Sequence, residues 1–259
     1  MIGEDALHTL HLENYITNLQ VIETYHAHQL LLMLSMFSQE KELSTTSCIL
    51  PIFLQRINGL YITNSPHTAL ILRIYSNSSS DSFSVAFHGV TFETRARHMI
   101  FNKPFTHYIE CCNFVGKFSY DNTQTVNKIC LVNETNEEKE WNNVTGLFIS
   151  IWNETERQFE IESVMNCCLW FDDIVYRSLS LNDIIHNQYS ACDKTGKHII
   201  IPFTSTLFKN QVGGSINFSR IETVNVTIQL KPSTNLYQIY ISSSRLATLD
   251  SSNGYLRLL

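Results

Sequence analysis

The stretch Thr223–Leu230, "TVNVTIQL", alternates with period two. Val224, Val226, Ile228 and Leu230 fall on one side, and Thr223, Asn225, Thr227 and Gln229 on the other. Successive side chains of a strand point to opposite faces, so this segment is a half-buried strand. The same register run backwards places Ile216 and Phe218 on the apolar side, together with Arg220 and Glu222. An unpaired charge on a buried face costs on the order of several kcal/mol. Two resolutions exist. Arg220 spans a corner of the sheet and pairs with a carboxylate or with loop carbonyls, which is the expectation adopted for this corner. Alternatively, a bulge or turn at Ser219–Glu222 rotates both charges into solvent.

The rest of the chain after Ser47 has the same character. Short runs rich in β-branched and aromatic residues, such as "CILPIFL", "TALILRIY", "FSVAFHGVTF", "THYIECCNFVGKFSY", "TGLFISIW" and "HIIIPFTSTLF", are separated by clusters of Asn, Ser, Gly and Asp. "NETNEEKEWNN" (133–143) and "SLSLNDIIHNQYSACDKTGK" (178–197) read as long loops, and "SNSSSDS" (76–82) as a linker. Residues 14–38 are the exception. Tyr15, Leu19, Ile22, Leu30, Met33, Leu34 and Phe37 recur at helix-like spacing and predict a helical segment. Many short strands with long irregular loops indicate an all-β sandwich or jelly roll.

A hydrophobic content of 44% against 16% charged residues is enough for a real core. The net charge of −6, with Lys and Arg thinly spread, does not suit nucleic-acid binding, which needs a basic face. The seven Cys are odd in number, include two vicinal pairs and form no CxxC; they read as reduced thiols. The N-terminus lacks the basic and apolar regions of a signal peptide. "LLLMLSMF" is too short to cross a bilayer, so no membrane insertion is expected. Six N-x-S/T sequons occur, at Asn77, Asn133, Asn143, Asn153, Asn217 and Asn225; in a chain so rich in Asn, Ser and Thr they read as chance matches.

Patterns that would carry catalysis do not appear. There is no GxGxxG, P-loop, HExxH or GxSxG, and "GGS" at 213–215 is a turn signal. His26 and His28 would share a face on a strand but diverge on the helix expected there, so no metal site is assigned. Asp172 and Asp173 follow an apolar strand and read as a turn. Trp152 and Trp170 lie in apolar strands and read as core, whereas Trp141, in "EKEWNNVT", is the candidate aromatic for a carbohydrate platform. The expectation is a protein that is not an enzyme and needs no cofactor.

Three patches carry a resemblance. "GGSINFSRIETVNVTIQL" with "LYQIYISSSRLATLDSSNGYLRLL" resembles the C-terminal end of the double jelly-roll major capsid proteins of nucleocytoplasmic large DNA viruses. "ILPIFLQRINGLYITNSPHTALILRIY", Ile49–Tyr75, is similar to a segment late in that family's first jelly roll. "VTFETRARHMIFNKPFTHYIECC", Val90–Cys112, is similar to one early in the second. The resemblance implies a complete second jelly roll at 83–259, preceded at 1–78 by a partial first one with a helical segment. It implies a structural capsid protein that assembles as a trimer of pseudo-hexagonal outline in an icosahedral virion put together in the host cytoplasm. Its implied partners are copies of itself, neighbouring capsomers and minor capsid proteins. An incomplete first jelly roll would leave strands such as "TALILRIY" with open edges, which places Ile71 and Leu72 at an intersubunit contact or under the expected helix. The competing reading is a jelly-roll carbohydrate- or receptor-binding module built around Trp141.

Overall fold

The computed structural model describes residues 11–16, 21–26, 70–75, 106–132, 141–186, 197–207, 212–252 and 255–258. Its order is β1 (His11–Ile16), β2 (Val21–His26), β3 (Leu70–Tyr75), β4 (Thr106–Ser119), β5 (Asn127–Val132), β6 (Val144–Asn153), β7 (Gln158–Phe159), β8 (Val164–Phe171), β9 (Ile174–Ser180), a short helix α1 (Leu181–His186), β10 (His198–Pro202), a 3₁₀ turn (Phe218–Arg220), β11 (Val224–Leu230), β12 (Tyr237–Ser252) and β13 (Tyr255–Leu258).

Two antiparallel sheets face each other. One runs β10-β6-β12-β13, with β4 on the other flank of β12 and β7 beside β6. The other runs β5-β11-β8-β9. Between them lies one core cluster. Leu147, Ile149 and Ile151 of β6 and Tyr237, Ile239 and Ile241 of β12 meet Val224, Val226, Ile228 and Leu230 of β11 and Val164, Cys167 and Leu169 of β8. The alternation of Thr223–Leu230 therefore predicts the buried face of β11 correctly. Asn225, on the opposite side, is nevertheless 4% exposed, because β11 lies between β5 and β8.

β6, inside the six-stranded sheet, is buried on both faces. Every residue of β6 is buried, including Phe148, Ser150 and Trp152, which point away from the core cluster. This is why "VTGLFISIWN" reads as a continuous apolar run. Gly146 fits the crowding here: a Cβ would come within 3.1 Å of Leu207 Cδ1 and 3.4 Å of Ser244 Oγ.

A separate sheet, β2-β1-β3, is antiparallel throughout, and β2 packs against β4. The helix expected over 14–38 is overturned at 14–16 and 21–26, where strands stand instead. The apolar residues that fit a helical stripe also fit two short strands, and "VIETYH" is rich in β-branched and aromatic types. Pairing to β3, Glu13 with Arg73 and Tyr15 with Ile71, decides the matter in favour of strand. Residues 27–38 lie outside the described residues, as do His28, the linker at 76–82 and "CILPIFL".

Candidate functional site

Arg220 and Glu222 do not enter the sandwich. Asn217 accepts a bond from the Ser219 N–H, at 3.0 Å, and caps the 3₁₀ turn over Phe218–Arg220. The turn breaks the strand period, so Phe218 dives into the core while Arg220 and Glu222 stand exposed. Arg220 makes no ion pair among the described residues. The expected pairing gives way to a solvated turn, because exposure costs less than burial with a partner.

Beneath that turn lies Trp141. Its ring centroid is 5.7 Å from that of Phe218, and its carbonyl accepts the Phe218 N–H at 3.0 Å. At 3% exposure Trp141 cannot serve as a platform for sugars, which corrects its assignment to a polar surface loop. Phe171 and Phe203 each approach Phe218 to 5.5 Å, and Tyr176 stacks on Phe171 at 4.5 Å. An aromatic chain thus runs from the core to the sandwich rim. Ile71 and Leu72 sit elsewhere, on β3 opposite Tyr15 and Asn14. "TALILRIY" therefore supplies a strand paired on the β1 side.

Several titratable groups are tied into structure. The Thr145 hydroxyl donates to the buried Glu110 carboxylate at 2.6 Å and lies 2.7 Å from Ser244 Oγ. Ser150 Oγ and His198 Nδ1 are 2.6 Å apart, yet both residues are buried to 1% exposure or less, so no substrate can reach the pair. Burial, then the neighbouring Cys168, pushes the Cys167 thiol up to about 12. Burial, then the Glu154 charge, raises the Tyr240 phenol, which carries the Lys117 ammonium over its ring at 5.5 Å. Among the described residues no cluster of three His, Cys, Asp or Glu gathers to hold a metal. Asp172 and Asp173 form the β8–β9 turn as expected, both at positive φ (47° and 64°), with Asp172 accepting the Thr223 N–H at 2.8 Å. Two sequon asparagines, Asn153 and Asn225, are buried and closed to modification in the folded chain.

Among the described residues, an apolar patch is exposed at the rim of the sandwich. Ile174, Val175 and Tyr176 of β9 are exposed, as is Ile185 of α1, which packs on β9. An open groove of about 820 Å³ runs beside them, between Tyr176–Leu179 and Pro202–Ser205. Sequence reasoning missed this edge, because the loop expected at 178–197 hid the end of β9 and the helix after it. The available signal was "DD" standing between two runs of β-branched and aromatic residues, a hairpin pattern.

No protein-family model and no curated protein matches this sequence. Solved structures do match. The PBCV-1 virus capsid, in its quasi-atomic model, overlays with a TM-score of 0.67 across 98% of this chain and 84% of that one, at 12% identity. The PBCV-1 VP54 structure fitted into a cryo-EM reconstruction of the virophage Sputnik overlays with a TM-score of 0.66 across 99% and 84%, at 13% identity. The fold is that of the double jelly-roll capsid proteins. In this capsid fold the four-stranded and six-stranded sheets make the jelly roll, and the aromatic chain around Phe218 fills one end of it.

Proposed function

We propose that this chain is a structural protein of a viral capsid, built into trimeric, pseudo-hexagonal capsomers of an icosahedral large-DNA-virus virion. The overlay on the PBCV-1 capsid across nearly the whole chain is the observation that carries the reading. The physics agrees with it. Buried polar groups such as Thr145, Glu110 and Ser244 are tied into internal hydrogen bonds, and apolar rim residues stand exposed to a neighbour, as a coat subunit requires. The partners would be copies of the chain, adjacent capsomers and minor capsid proteins; the place of action would be the virion, assembled in the host cytoplasm, and the role would be without catalysis. Ile71 and Leu72, on β3, belong to this proposal as contacts between subunits, and Arg220 and Glu222 as a solvated corner available to a neighbour. The carbohydrate-binding alternative loses its anchor with the burial of Trp141. Native mass spectrometry with negative-stain imaging of the purified full chain tests the proposal. Three-fold particles of three chain masses are expected, and a monodisperse monomer at micromolar concentration would overturn it.

A further inference from the structure

We propose that the open groove between β9 and β10 is a binding site for an acidic sugar, held at its carboxylate by Arg177 and His186 and stacked on the ring of Tyr176. The inference goes beyond the capsid reading and does not depend on it.

The groove lies at the margin of the sandwich. β9 and β10 are the end strands of the four-stranded and six-stranded sheets. Tyr176–Leu179 and Pro202–Ser205 line an opening of about 820 Å³, within the roughly 300–1,000 Å³ of small-ligand clefts. Neither margin suits an added strand. Tyr176 is the extra residue where β9 shifts register between Val175 and Arg177, and Pro202 has no N–H to offer. Bulges and prolines are devices by which strand edges refuse pairing. The groove therefore suits a compact ligand better than an extended chain.

The lining states which kind. Arg177 stands opposite Leu169, a member of the core cluster, so its side chain leaves the inner side of the sheet and reaches the groove. It is half-buried and makes no ion pair or side-chain hydrogen bond among the described residues. Its forked donors are open, and a carboxylate is the group that fork fits. His186, the last residue of α1, lines the same groove, exposed and without a hydrogen-bond partner among the described residues. Asp183 supplies the opposite sign. Its Oδ2 accepts from the Ser180 N–H and hydroxyl at 2.8 and 2.7 Å, and Oδ1 is left to accept from a ligand hydroxyl. Tyr176 is 50% exposed and backed by Phe171, with ring centroids 4.5 Å apart at 31°. A ring held from behind and open in front is a stacking surface for the C–H face of a sugar.

Forked donors, a hydroxyl acceptor and a ring face in one opening match an acidic sugar. A neutral sugar would leave the guanidinium unmatched; a bare carboxylate would leave the ring and Asp183 unused. The aromatic platform expected of Trp141 is thus supplied by Tyr176, at the rim end of the same aromatic chain.

The test titrates the full chain by ligand-observed NMR. Methyl glucuronide and N-acetylneuraminic acid are the probes, methyl glucoside the neutral control and acetate the bare-anion control. At least one acid should bind with a Kd of ~1 mM or tighter, and about tenfold more tightly than the glucoside. Arg177→Gln should remove that tenfold preference, and Tyr176→Ala should weaken acid and glucoside alike. Near-ultraviolet dichroism checks that both variants keep the fold, and Arg177→Gln decides alone if Tyr176→Ala does not. No binding of either acid at ~10 mM, unchanged affinity in the folded variants, or displacement of the sugar by acetate at the sugar's own affinity would each overturn the site. Three-fold particles that bind neither acid would overturn the site and leave the capsid reading standing. A monomer that binds the acid and loses it in Arg177→Gln would uphold the site and sink the capsid reading.

Discussion

Phe218 shows how one residue settles a conflict that its neighbours create. It is fully buried and touches Trp141, Phe171 and Phe203, so its burial outweighs the cost of breaking the strand at Ser219. Phe218→Ala should lower unfolding free energy by about 3–5 kcal/mol in urea titrations, the range for a large aromatic lost from a packed core. Arg220→Ala and Glu222→Ala should each stay within about 0.5 kcal/mol, as exposed substitutions do; a larger loss would mean that the charges have a partner in solution. The cysteines divide in the same way. Cys167 is buried and its raised pKa keeps it a thiol, whereas Cys130 is exposed. Alkylation of the native protein at pH 8 should modify Cys130 before Cys167 and reach Cys167 only as the chain unfolds, which peptide mapping over time would reveal.

At the scale of elements, the β8–β9 hairpin and α1 work as one piece. Ser180 caps α1 reciprocally with Asp183. The Ser180 N–H and hydroxyl donate to the Asp183 carboxylate at 2.8 and 2.7 Å, and the Asp183 N–H returns a bond to the hydroxyl at 3.3 Å. The Ser180 hydroxyl bond first, then its N–H, holds the Asp183 carboxyl below the usual range. A carboxyl with a depressed folded-state pKa stabilises above its unfolded pKa, and that contribution is lost as pH falls through the folded value. Asp183→Asn should therefore lower stability at neutral pH and flatten part of the acid limb, while leaving the slope of the neutral-to-alkaline limb unchanged; an identical acid limb would remove the cap's role. Legibility in the sequence follows the same elements. Strands with one buried face, such as β11, could be read because their period was undisturbed, and Asp172-Asp173 because the turn needs residues that tolerate positive φ. The helix expected over 14–38 failed because short apolar runs satisfy both periods and only pairing to β3 chose between them. Trp141 was placed in solvent because its sequence neighbours are polar, and nothing local records that Phe218, far along the chain, covers it. α1 was hidden because six residues give too few turns for a stripe.

At the scale of the molecule, the described core of the two-sheet sandwich draws on one stretch of the chain. Among the described residues, every member of its buried cluster falls between Ile129 and Ile241. The piece 83–259, the proposed second jelly roll, should on that ground unfold cooperatively by itself. The opposite face of the six-stranded sheet complicates this. Phe148, Ile200 and Tyr240 are buried there in the whole chain, none belongs to the central cluster, and β2 packs against β4 of the same sheet. If residues before 83 supply part of that cover, removing them exposes an apolar face without dismantling the core. The expected outcome for 83–259 is a native near-ultraviolet dichroism spectrum with a cooperative transition, together with stronger binding of a hydrophobic dye and more self-association than the full chain shows. A piece with weak near-ultraviolet dichroism would place the domain boundary elsewhere. A piece that is native and binds no extra dye would mean that both faces of the sheet are covered from within 83–259, leaving the N-terminal sheet available for contacts with neighbouring subunits through β3.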